Sequence, residues 1–181
     1  MAEQYNYPLF PGEKGIDFQK VDLTTGVDYN LITESNARAQ ISILPSEISI
    51  FLPGTIFLMH AWAGNGVLDL NIKTRPHEKE LPHPDFHAKR FISYALAHFE
   101  SNGLKIHTFS GTWGEDSTNF RQYHEARSHG LAPAEAAKST WSGRTMAQFG
   151  FTDIEDVDVV EFAKSPTTAP YVNAFFMRPL Q

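Results

Sequence analysis

Hydrophobic positions along the second half of the chain fall first into a helical and then into an extended rhythm. Ala88, Phe91, Ile92, Ala95, Leu96 and Phe99 recur every three or four residues, with Lys89, Arg90, Ser93 and Glu100 on the opposite side, the pattern of a helix lying on a core. Pro84 suits a first helical position, Asp85 complements the positive helix start, and Asn102-Gly103 supplies a stop. The spacing therefore predicts a helix from Pro84 to that stop. Leu104 and Ile106 on one face, with His107 and Phe109 on the other, predict a strand over Leu104–Ser110 covered on both sides. A polar, glycine-containing loop, Gly111–Asp116, follows. Ser117 or Thr118 then caps a helix running to about Ser128, with Gly130 as its stop. Pro133 starts a further helix from Ala134 to Phe149, expected to kink or break near Ser142-Gly143 and capped by Gly150.

Upstream, Ile41, Ile43 and then Ile48, Ile50 and Leu52 alternate with polar or mixed positions, interrupted at Pro45 and Pro53-Gly54, which predicts two short strands. Thr55–Ala63 is apolar on both faces, as in a central strand. Gly64-Asn65-Gly66 supplies positive-φ residues for a tight hairpin, and Val67–Lys73 returns with Leu68, Leu70 and Ile72 inward. Residues 74–83 read as a proline-punctuated loop. Glu155–Ala163 and Tyr171–Arg178 predict two closing strands. Tyr5, Tyr7, Leu9 and Phe10 would pin an irregular N-terminal arm, residues 1–38, to the body, and residues 39–181 would form a single domain. The fold class expected is α+β: a single mixed, largely antiparallel sheet flanked by three to four helices.

Composition narrows the function classes. The 181 residues suffice for one domain with a substantial core, and 41% hydrophobic with 20% charged content is that of a globular chain. A formal net charge of -6 with scattered basic residues opposes binding to nucleic-acid phosphates. The absence of cysteine removes disulfides, thiolate nucleophiles and Cys-type zinc sites. A polar start and the lack of a long apolar run predict neither a signal peptide nor a membrane span, so a cytoplasmic location is expected.

Three places could carry chemistry. His83-Pro84-Asp85-Phe86-His87 would set imidazole, carboxylate and imidazole around one helical turn, making His83, Asp85 and His87 candidate ligands for Zn, Fe or Mn. Pro84 and Asp85 are equally explained as helix-start residues, and the spacing matches no standard metal motif. The second place is the loop after the predicted strand. Ser110, Gly111 and Trp113 are candidate ligand-binding residues there, with Glu115 or Asp116 as a base and His107 as a second proton carrier. The competing reading makes the glycines a turn, Trp113 a core plug and the acids helix-start residues. Third, Arg144 in a polar patch with Ser139, Thr140, Trp141 and Ser142 is placed to hold a carboxylate or phosphate. A serine-hydrolase elbow, a Walker loop and a dinucleotide fingerprint are all missing.

From about residue 66 to 180, the order helix, strand, helix, a Gly150-Phe151 step within AQFGF and a closing strand pair resembles the second half of GNAT-type N-acetyltransferases. The resemblance implies acyl transfer to a small molecule or peptide amine, with acetyl-CoA or another acyl-CoA as the cofactor. In that family a glycine-rich turn before the long helix holds the coenzyme A pyrophosphate. The matching KTRPHEKELPHPDF here has no glycine, and Glu78, Glu80 and Asp85 oppose phosphates. Met146 stands at the position of the family's general-acid tyrosine, and a thioether cannot donate a proton. Two function classes fit: an acyltransferase-like enzyme, and a non-catalytic accessory or inhibitory module that binds a protein partner. The partner expected is a small molecule or a protein, with neither nucleic acid nor membrane involved.

Overall fold

The computed structural model describes residues 29–32, 38–51, 54–75, 81, 87–160 and 170–179. The chain is α+β and divides into two compact units, Met1–Ile106 and His107–Gln181. In the first unit β1 (Tyr29–Ile32), β2 (Arg38–Leu44), β3 (Glu47–Phe51), β4 (Leu58–Gly64) and β5 (Val67–Lys73) pair in chain order. Every pairing is antiparallel. Helix α1 (Ala88–Ser101) packs against β4. The second unit comprises β6 (Thr108–Gly114), α2 (Thr118–Ser128), α3 (Pro133–Ser139), α4 (Trp141–Ala147), β7 (Asp153–Val160) and β8 (Tyr171–Met177). Its strands run β6-β8-β7, again antiparallel, and α3 packs against β7.

The expected hairpin is present. Asn65 and Gly66, with φ of 51° and 80°, turn β4 into β5, because a two-residue turn that matches strand twist needs positive φ at both positions. Alternation sends Ile48, Ile50, Met59, Ala61, Ala63 and Leu68 to one side, where all are buried. The buried stripe of α1, made of Phe91, Ile92, Ala95, Leu96 and Phe99, supplies the rest of that core. Ala61 and Ala63 are small where the helix lies on β4, which lets it approach closely. His98 is buried on α1 and donates from Nε2 to the Leu44 carbonyl at 2.9 Å, tying the helix to the end of β2.

Several elements differ from the expected ones, each for a physical reason. Helix α1 starts at Ala88 rather than Pro84, because His87 has extended backbone angles, φ -106° and ψ 120°. The strand expected over Leu104–Ser110 is displaced to Thr108–Gly114. Leu104 is still engaged by the departing helix: its N–H bonds to the Phe99 carbonyl and Gly103 N–H to that of Glu100, closing the α1 end. The long helix expected from Ala134 to Phe149 is broken at Thr140, whose ψ is 166°, and not near Gly143. Residues 29–32 form β1 within the expected irregular arm. Residues 1–28 and 33–37 of that arm, residues 76–80 and 82–83 of the expected loop, and the end of the first closing strand lie outside the described residues.

The Gly150-Phe151 step has a local cause. Phe151 N–H bonds to the Met146 carbonyl and Gly150 N–H to that of Ala147, with Gly150 at φ 90°, and Phe151 is buried. This is a left-handed helix end with the same hydrogen-bonded closure that ends α1 and α2, here followed by a buried apolar residue. The AQFGF sequence therefore reports helix termination.

Candidate functional site

Strand alternation in the first unit produces a second face, away from the α1 core. Registers place Leu44, Glu47, Trp62 and Asp69 in one row across β2 to β5. Ser42, Ser49, His60 and Asn71 form the next row, and Phe51, Leu58 and Lys73 a third. Three large apolar side chains on this face stay exposed: Leu44 at 44%, Phe51 at 39% and Trp62 at 39%. The Trp62 ring lies over Gly64, two residues along the same strand, where a Cβ would come within 2.5 Å of both Cη2 and Cζ2. The missing side chain at 64 is thus what lets the indole rest on the sheet. His60 Nε2 donates to Glu47 Oε1 at 2.9 Å, fixing the acid beside that ring.

Sequence reasoning missed this surface. Thr55–Ala63 reads as apolar on both faces, yet β4 alternates, with Met59, Ala61 and Ala63 inward and His60 and Trp62 outward. The signal available was the Trp-x-Gly spacing, which puts a large ring beside a vacant position on the same side of a strand.

The second unit disperses the groups expected to act together. His107 precedes β6, is exposed, and lies 3.1 Å from Thr108 Oγ1 through Nδ1. Glu115 and Asp116 are exposed in the turn after β6, roughly 25 Å from His107 at the rise of an extended chain. A proton relay between them is not assembled. Ser110, Gly111 and Trp113 belong to β6 and not to a loop. The pleat sends Ser110 to one face and Gly111 with Trp113 to the other, so this set too is divided. Trp113 is 4% exposed and packs on Tyr123 and Phe176 at ring-centroid distances of 6.4 and 6.2 Å. Its role is in the core, and Gly111 is small because the indole crosses it, Nε1 being 3.1 Å from where a Cβ would stand.

Arg144 lines an open recess of about 290 Å³ with Gln122, Glu125, Ala126, His129 and Ser139. Much of that lining is already bonded where α2, α3 and α4 meet. Arg144 donates to the Ser139 carbonyl, Gln122 Oε1 accepts from Trp141 N–H at 2.6 Å, and Ser139 Oγ donates to the Ala136 carbonyl at 2.7 Å. The first amides of α4 are likewise engaged. Asn119 Oδ1 accepts from Ser142 N–H at 3.0 Å, and Thr140 Oγ1 accepts from Gly143 N–H at 3.1 Å. Side chains thus take the donors that a helix start otherwise presents to an anion.

Of the metal candidates, His83 and Asp85 lie outside the described residues. His87 stands at the α1 N-cap with extended backbone angles, so it is not part of the helical turn that the proposed triad requires. Its Nε2 is buried and meets no hydrogen-bond partner among the described residues. No group of three or more metal-ligating side chains occurs among the described residues. No described helix is long and apolar enough to cross a membrane. No protein-family model, no curated protein and no solved structure matches this chain.

Proposed function

We propose that the chain is a non-catalytic interaction module that docks a protein partner on the outward face of β2 to β5. One observation carries this reading: Leu44, Phe51 and Trp62 share one side of a regular sheet and remain about two-fifths exposed. Single exposed apolar residues are ordinary, whereas several together on one surface mark contact sites. Tryptophan is also the side chain most enriched among residues that dominate binding energy. The acyltransferase-like alternative needs a proton-transfer group and a phosphate cradle in one place. The acid–base candidates of the second unit stand at opposite ends of β6, which favours the module.

The test is a comparison of partners captured from the native host by the wild type, by Trp62→Ser and by Trp141→Ser, which alters an exposed tryptophan elsewhere. Under this reading Trp62→Ser loses partners that Trp141→Ser retains, and its Tm is preserved. Equal capture by all three proteins overturns it. So does stabilisation by several degrees when acetyl-CoA is added.

A further inference from the structure

Building on the docking face just described, we propose that Trp62 receives a cationic side chain of the partner, a lysine ammonium or an arginine guanidinium. The row that contains the indole is the basis. Trp62 pairs directly with Glu47 on β3 and with Asp69 on β5, so an aromatic surface lies between two carboxylate-bearing positions. Directly paired positions on one face of an antiparallel sheet stand about 5 Å apart at Cβ, within reach of a single bound head group.

A cation is attracted to the face of an indole by the ring quadrupole, more strongly than to any other aromatic side chain. Flanking carboxylates add Coulombic attraction of the same sign. A ligand carboxylate or phosphate would be repelled by the same pair, and a neutral apolar group would gain only from the ring. Among the described residues on this face, His60 already bonds Glu47, and Lys73, which pairs with Leu58, stands four residues along β5 from Asp69, about 13 Å away along an extended strand. The net charge of -6 favours approach of a basic partner at longer range.

Geometry also limits how the ring can respond. The sheet backbone at Gly64 supports one side of the indole, and Glu47 is oriented by His60 at 2.9 Å. A cation therefore meets a surface already in place. Trp113 provides the contrast, being buried in the second unit against Tyr123 and Phe176. The two tryptophans share a Gly neighbour two residues away, but Trp62 keeps a solvent-facing surface and has acids on both adjoining strands.

The experiment follows the indole N–H signals of the three tryptophans by NMR in the full chain, with Trp62→Leu assigning the Trp62 signal. The probes are acetyl-Gly-Lys-Gly-amide and acetyl-Gly-Arg-Gly-amide at roughly millimolar concentration, with the acetyl-lysine and citrulline peptides as neutral counterparts. The cationic peptides are expected to move the Trp62 signal saturably and leave Trp141 in place. The neutral peptides and the Glu47→Gln/Asp69→Asn variant are each expected to weaken the effect by about threefold or more. Both substitutions keep side-chain shape, so the variant tests the charges even where Trp62→Leu fails to fold. The proposal is overturned if the Trp62 signal does not move, if the neutral peptides move it equally, or if the double variant responds like the wild type. An unmoved Trp62 signal combined with partner loss in Trp62→Ser would retain the docking face and remove only the cationic contact.

Discussion

Gly143 shows how a residue can mean the opposite of its propensity. In a helix glycine costs about 1 kcal/mol relative to alanine, and on that ground it marks a weak point in the stretch after Pro133. The structure gives another reason for it. A Cβ at 143 would come within 2.5 Å of the Ala137 carbonyl oxygen and 2.6 Å of that of Lys138, and backbone atoms of a packed helix cannot swing aside. Gly143→Ala should therefore destabilise the protein by about 1–2 kcal/mol, the overpacking cost exceeding the gain in propensity. The urea midpoint measures this, and an increase would show that α3 and α4 separate easily. The same logic explains why the predicted break was misplaced. Propensity pointed to Gly143, whereas the break lies at Thr140, whose side chain accepts from Gly143 N–H.

Among elements, the corner between α2 and α4 is held by polar groups whose pairing no periodicity reveals. Asn119 accepts from Ser142 N–H and donates from Nδ2 to Ser142 Oγ at 2.8 Å, and Ser142 is buried. Asn119→Ala leaves two buried groups unpaired and should cost about 1–3 kcal/mol. Gln122→Ala should cost less, under about 1 kcal/mol, because Trp141 is exposed and water can replace the lost acceptor. Denaturant melts of the two variants check the order. Amphipathic and capping signals were legible: the α1 stripe, the Ser117 cap that accepts from Phe120 N–H, and the hairpin at Asn65-Gly66. Boundaries were less so, since Leu104 has the pattern of a strand but its N–H completes α1. The candidate site was the least legible element. Trp113 and Trp62 are both aromatic positions in β-rich sequence, and only the register shows which of them faces a core.

For the whole molecule, hydrophobic pattern gave faces but not their allocation. The apolar stripe of α1 fits any sheet, and the chain divides into two compact units. Each unit contains a phenol held protonated by burial. Tyr94 in the first is pushed up to about 12, and Tyr123 in the second is also raised, with Arg127 acting in the opposite direction. Below about pH 10, the ordinary tyrosine value, folded and unfolded chains are both protonated at these sites and the contribution is fully present. As pH rises further the unfolded chain ionises first, so stability is lost up to about pH 12, where folded Tyr94 itself titrates. The urea midpoint should fall over that window, and Tyr94→Phe, which has no hydroxyl to ionise, should show a shallower fall. An identical decline in both proteins would place the alkaline limit elsewhere.

The seat of Trp62 on Gly64 couples two positions in heredity as well as in space. Any side chain at 64 would displace the ring, so substitutions at 62 and 64 should be inherited together, and a sequence that gains a Cβ at 64 should lose the bulky aromatic two residues earlier. A tryptophan and a glycine in this spacing on the strand before an Asn-Gly hairpin thus form a searchable signature. It would separate distant kin that keep this tryptophan-bearing face from those that keep only the framework beneath it.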